Sequence, residues 1–189
     1  MENIITLSGK FINRIIDYVY SLCEDTSIYQ TEIKIPGDIL YRTELMCNYI
    51  SKAEDLSMNL DSFIKILYCK FIRECVDKYA PDKVYKMLST QYFKDDSIII
   101  SNGTDKCVIH RSIEHIYTIS IQLPREDADA GELILREIYE LYKYKFSFKT
   151  LLEQLWLSFI NDYKTGNNKK AMHILKVELA EYLSKDYKD

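Results

Sequence analysis

The chain has 189 residues, 47% of them hydrophobic, with a formal charge of −4 and a pI near 5.5. That apolar content allows a sizeable core and excludes a disordered chain, and five glycines with three prolines favour helix over sandwich or barrel folds. The acidic balance lacks the basic footprint usual in nucleic-acid binders, although local charge, not the chain total, decides that.

Met1-Glu2-Asn3-Ile4 has no basic n-region and no small-residue cleavage site follows, so no signal peptide is expected. Ile4, Ile5, Phe11, Ile12, Ile15, Ile16, Val19 and Leu22 recur at helical spacing and predict an amphipathic helix over 8–23. Residues 24–27 make a turn into an alternating stretch, Tyr29 to Pro36. Its Ile33 and Ile35 face one side of a strand, and Gln30, Glu32 and Lys34 face the other. Pro36-Gly37 ends it. A helix over 38–54 is predicted to bury Leu40, Leu45, Met46, Tyr49 and Ile50. A second, over 59–79 with Asn59 as cap, is predicted to bury Leu60, Phe63, Ile64, Leu67, Phe71 and Cys75. Pro81-Asp82 opens a third helix, 83–92. Apolar runs at 97–101 and 106–110 flank Asn102-Gly103, the signal of a β-hairpin.

A second alternating stretch runs from Tyr117 to Pro124, with Ile119, Ile121 and Leu123 on one face and Thr118, Ser120 and Gln122 on the other. Asp129-Ala130-Gly131-Glu132 reads as a capping box for a helix ending near 144. Ser147 is the candidate cap of the next helix, which ends near 163. Residues 165–168 break the chain before a last helix over 169–183, with Met172, Leu175, Val177, Leu179 and Leu183 in its pattern. The divisions are therefore 1–28, 29–94, 95–116 and 117–189, packed as one unit.

The two alternating stretches belong to an internal repeat, offset by 88 residues without a gap. Identical pairs include Tyr29/Tyr117, Ile33/Ile121, Pro36/Pro124, Glu44/Glu132, Leu45/Leu133, Ile50/Ile138, Leu67/Leu155, Phe71/Phe159 and Ile72/Ile160. Ile35/Leu123, Phe63/Leu151 and Tyr68/Trp156 are conservative pairs. An isolated strand leaves unsatisfied backbone groups, so each stretch needs a partner.

A strand ending sharply at a proline and followed by two helices resembles the ribbon-helix-helix family, the class of the methionine and phage Arc repressors. The resemblance covers 29–79 and 117–164. It implies an α+β, mostly helical fold in which the two repeats form an intramolecular pseudo-dimer with a two-stranded antiparallel ribbon. In that family the ribbon enters the DNA major groove, alternate side chains read bases, and the second helix points its N-terminus at a phosphate. Carried onto this sequence, Gln30, Glu32, Lys34, Thr118, Ser120 and Gln122 are the base-reading set. Asn59 and Ser147, with Lys145 and Lys149, are the phosphate-contacting set. Three features depart from the family: a longer proline-to-cap distance, the acidic Glu32 in the ribbon, and phosphate-facing ends of unequal charge.

Catalytic signatures are missing: no glycine-rich phosphate loop, no G-x-S-x-G and no H-E-x-x-H occurs. His110 and His115 with Cys107 are too few ligands for a metal, and His173 has no partner in sequence. Glu126, Asp127, Asp129 and Glu132 read as a helix entry, not as a cation site. The five cysteines read as buried thiols in a reducing cytoplasm. No apolar run approaches the roughly 20 residues that span a bilayer. The expectation is a cytoplasmic, non-enzymatic protein without cofactor or membrane contact. It binds double-stranded DNA as a transcriptional regulator or a plasmid or phage maintenance factor, and it associates further on tandem sites. The alternative is a non-catalytic adaptor or inhibitor that meets a protein partner through an acidic, tyrosine-rich surface including Tyr139, Tyr142, Tyr144 and Tyr163.

Overall fold

The computed structural model describes residues 28–55, 57–90, 97–101, 106–110 and 115–186. The helix expected over 8–23 lies outside them. The described residues form a mostly helical α+β fold with six helices. In chain order these elements are β1 (Ile28–Pro36), α1 (Gly37–Glu54), α2 (Leu60–Asp77), α3 (Pro81–Ser89), β2 (Ser97–Ser101), β3 (Lys106–His110), β4 (Ile116–Pro124), α4 (Arg125–Tyr142), α5 (Phe148–Lys164) and α6 (Asn168–Asp186).

β1 and β4, some 80 residues apart in sequence, pair antiparallel along their whole length. Ile28 lies opposite Pro124, Glu32 opposite Ser120, and Pro36 opposite Ile116. The Gly37 amide extends the ladder by donating to the His115 carbonyl at 2.9 Å. Period-two alternation sorts the side chains. Ile33, Ile35, Ile121 and Leu123 are buried, whereas Gln30, Glu32, Lys34, Thr118, Ser120 and Gln122 are exposed. β2 and β3 form a separate antiparallel hairpin, as the Asn-Gly signal predicts.

Helices cover the inner face of the ribbon crosswise: α5 packs on β1, α2 packs on β4, and α2 and α5 pack on each other. The element boundaries keep a constant spacing. Pro36 and Pro124 precede α1 and α4, the left-handed residues Asp55 and Lys143 end them, and Asn59 and Ser147 cap α2 and α5. Each pair is 88 residues apart.

Two buried aromatic groups, also 88 apart, reach between the halves. Trp156 on α5 donates its indole N–H to the Thr43 hydroxyl of α1 at 2.9 Å, and that hydroxyl donates to the Ile39 carbonyl at 2.9 Å. Tyr68 on α2 donates its hydroxyl directly to the Asp127 carbonyl of α4. The position matching Thr43 is Gly131. A Cβ there would lie 2.5 Å from the Tyr68 hydroxyl and 2.6 Å from the Phe148 ring. Glycine therefore leaves room for the phenol to reach the carbonyl, while threonine relays the bond to a larger, more distant indole. Phe63 and Phe159 meet edge-on beside Trp156, with ring centroids of Phe63 and Trp156 5.2 Å apart.

The structure corrects two expectations. Asp129 to Glu132 is no capping box: α4 begins at Arg125, directly after Pro124. Asp129 sits a turn inside it and accepts from the Arg125 side chain at 3.0 Å, while Ala130 and Gly131 are buried. The longer proline-to-cap distance is thus taken up by helix, not by an entry loop. Leu45 and Tyr49 are not buried; they are 52% and 62% exposed, because α1 turns Ile39, Thr43, Met46, Cys47 and Ile50 inward instead. Val177 of α6 is likewise exposed, whereas Leu175 and Leu179 are buried.

Burial raises the Cys47 and Cys75 thiols from 9.0 to about 12, with the neighbouring Glu44 and Glu74 carboxylates adding to the effect. The folded state thus holds these protons when the unfolded chain has released them. The stability they contribute is intact below pH 9 and lost as pH rises from 9 toward 12. Urea unfolding at pH 7 and pH 10 is expected to show a fall with pH that the Cys47→Ala/Cys75→Ala variant reduces by about 3 kcal/mol. A variant with the same pH dependence as the parent refutes this. Gly131→Ala is expected to lower stability by about 1–3 kcal/mol through overpacking, in the same unfolding assay. An unchanged midpoint refutes the tight fit at Tyr68.

Candidate nucleic-acid interface

The base-reading set singled out from sequence comes together on one surface. Gln30 lies opposite Gln122, Glu32 opposite Ser120, and Lys34 opposite Thr118. All six are exposed on the outer face of the ribbon. The Gln30 amide donates to the Ser120 hydroxyl at 3.0 Å, which orients one amide and leaves the Gln122 amide unengaged among the described residues. Glu32 and Lys34 cancel in charge, so the face is polar and close to neutral.

Two features of this surface escaped the sequence reading. Ile28 and Ile116 occupy the outward parity at opposite ends of the ribbon and are 68% and 58% exposed. Their even spacing from Gln30 and Thr118 is the signal that places them there. Glu153 of α5 accepts from the Lys34 backbone amide at 2.7 Å. It satisfies an edge N–H that a two-stranded sheet leaves unpaired. No sequence pattern indicates that contact, because it joins residues from two distant elements.

The phosphate set divides. Asn59 and Ser147 cap their helices: Asn59 Oδ1 accepts from the Ser62 amide at 2.8 Å, and Ser147 Oγ from the Thr150 amide at 3.1 Å. Both side chains are therefore engaged, while the amides at the first two positions of each helix have no intrahelical partner. The two ends carry different charge. α2 has Asp61 in its first turn, paired with Lys65 at 2.7 Å. α5 has Lys149, loosely paired with Glu153 at 3.9 Å, and the exposed Lys145 precedes it. An anion is favoured at the α5 end and opposed at the α2 end.

Among the described residues, no group of three or more His, Cys, Asp or Glu is placed to hold a metal, and no helix is long and apolar enough to cross a membrane. The His110 and Cys107 side chains lie outside the described residues. Of the tyrosines expected at a surface, Tyr139 and Tyr144 are exposed, whereas Tyr142 stacks on Tyr85 at 4.2 Å and donates to Asp82. No protein-family description, curated protein or solved structure matches the chain.

If Asn59 and Ser147 are caps before anything else, Asn59→Ala and Ser147→Ala each lower stability by about 1 kcal/mol without any ligand, as read by urea unfolding. A loss below about 0.3 kcal/mol in both removes the capping role.

Proposed function

We propose that this chain is a cytoplasmic DNA-binding protein of the ribbon-helix-helix type, folded as a tandem pseudo-dimer. On this reading it acts as a transcriptional regulator or a plasmid or phage maintenance factor, by binding and not by catalysis. The observation that carries the reading is the register of the ribbon. A two-fold axis relating segments 88 residues apart centres an antiparallel pair on one residue and its own equivalent, and the strands here pair over matching bounds about Glu32 opposite Ser120. The matched prolines, left-handed helix ends and caps support the same relation.

A two-stranded ribbon fits the major groove, where each base pair presents a distinct set of donors and acceptors. Lys34 suits guanine O6 and N7, and the Gln30 and Gln122 amides suit adenine. Thr118 and Ser120 accept or donate, and Glu32 accepts from a cytosine amine. The α5 start with Lys145, Ser147 and Lys149 holds a phosphate through its free amides and its cations. One ribbon covers few base pairs, so tandem binding of several copies is part of the proposal.

A second reading rests on the neutral outer face and its apolar ends, Ile28 and Ile116. These suit an adaptor or inhibitor that docks the ribbon on a protein. Fluorescence anisotropy with mixed-sequence duplex DNA across a salt series separates the two. DNA binding is expected at about 50 mM salt and weakens steeply above it. Lys145→Ala/Lys149→Ala lowers affinity for all sequences and reduces the salt slope by about 2. Alanine at Lys34, Ser120 and Gln122 together removes discrimination between sequences. No binding at about 50 mM salt overturns the DNA reading in favour of the adaptor. Discrimination that survives the triple alanine variant shows that the ribbon is not the reader.

A further inference from the structure

The two halves differ in how their first helices are covered. In the second half α3 closes directly on α4, through the stacked Tyr85 and Tyr142 rings and the Tyr142–Asp82 hydrogen bond. In the first half the element at the corresponding place is α6, and it packs on α2 and α5. Two ion pairs tie α5 and α6 to the ends of α1. Lys164, at the end of α5, pairs with Asp38 at 3.2 Å, and Lys176 of α6 pairs with Glu54. Between those two ion pairs lies a groove of about 880 Å³.

Tyr41, Leu45 and Tyr49 form one wall, four residues apart on one face of α1 and 64%, 52% and 62% exposed. Met172 forms the other wall and Met46 the floor. Single exposed apolar residues are ordinary, but three in a row facing a cleft mark a docking surface. The rim is cationic: Arg42, Lys169 and Lys176 line it, against the one carboxylate of Asp38. Lys176 and Asp38 are already paired, whereas Arg42 and Lys169 have no ion-pair partner among the described residues. In a chain of net charge −4, this is a local reversal of sign.

We propose that the α1–α6 groove binds an acidic amphipathic helix of a partner protein, with its apolar stripe on Tyr41, Leu45, Tyr49 and Met172 and its carboxylates on Arg42 and Lys169. A helix laid in a groove presents anchors at i, i+4 and i+7, which matches a wall of residues spaced by four. Asp38 to Tyr49 spans about 16 Å, so some three helical turns fill it. Tyrosine and arginine are the residue types that most often concentrate binding energy. None of the residues that line it belongs to the base-reading or phosphate-contacting set, so the proposal does not depend on the DNA reading.

The test uses the full chain and two fluorescein-labelled helical peptides of about 16 residues, each with leucines at i, i+4 and i+7. One carries glutamate and the other lysine on the flanking positions. The acidic peptide is expected to bind with a micromolar Kd and the basic one at least about tenfold more weakly, a gap that narrows with salt. Leu45→Glu is expected to lose at least about tenfold, whereas Leu141→Glu, the same change on another exposed leucine, leaves binding intact. Arg42→Glu narrows or reverses the preference between the peptides. Circular dichroism checks that each variant is folded. Equal binding of both peptides, or binding indifferent to Leu45→Glu, overturns the proposal. So does failure of the acidic peptide to bind, which is also the result if residues 1–27 fill the groove. A sedimentation-equilibrium dimer that Leu45→Glu dissociates overturns it too, in favour of a second copy as the occupant.

Discussion

Pairing of β1 with β4 is the contact on which the remaining architecture rests. Among the described residues neither strand has another neighbour, so each would leave a row of backbone groups unsatisfied without the other. A two-stranded ribbon is marginal alone and needs a packed face to persist. The inner row of Ile33, Ile35, Ile121 and Leu123 supplies that face, and α2 and α5 cover it crosswise. A slip of one residue would turn those isoleucines outward and bury Glu32 and Lys34. The hydrophobic alternation therefore sets the register, and the register sets which six polar side chains share the outer surface.

The helices hold the ribbon closed from beneath. Because α5 lies under β1 and α2 under β4, separating the strands also requires separating Trp156 from Thr43 and Tyr68 from Asp127. Both are buried polar contacts, and an unpaired partner left behind costs about 1–3 kcal/mol. The two sites solve one geometric problem with different residues. Threonine extends the reach of the Ile39 carbonyl toward an indole, and glycine clears the way for a shorter phenol to the Asp127 carbonyl. Each choice makes sense only with its partner, so these four positions are coupled and their substitutions are not additive.

Much of this was legible in sequence where short-range chemistry decides. Strand parity, the prolines that end β1 and β4, and the Asn59 and Ser147 caps all follow from local preferences, and the structure has them at those positions. Asp129 to Glu132 was misread because a capping box and an interior helical turn have the same composition. Only the tertiary fit of Gly131 against Tyr68 and Phe148 separates them. Apolar spacing puts Leu45 and Tyr49 in a core stripe because it shows that a face is apolar, not that another element covers it. The Glu153–Lys34 contact left no local trace at all.

A homodimeric ribbon must present the same helix start to both flanks, whereas a single chain carrying both strands is free of that constraint. Here the α2 start bears Asp61 and the α5 start bears Lys149 with Lys145 before it. On the proposed DNA reading, one flank attracts the backbone and the other does not, which gives the complex a polarity along the duplex. The acidic total is then compatible with binding, because the field at the α5 flank is set by charges within about a Debye length, roughly 10 Å, and not by the chain sum. The same freedom acts on the α1–α6 groove. Tyr41 and Tyr49 occupy places that Asp129 and Glu137 hold in the second half, and α6 leaves them uncovered where α3 covers α4. On the proposed pseudo-dimer, symmetry is required only at the ribbon, and the surfaces away from it are free to take up separate tasks.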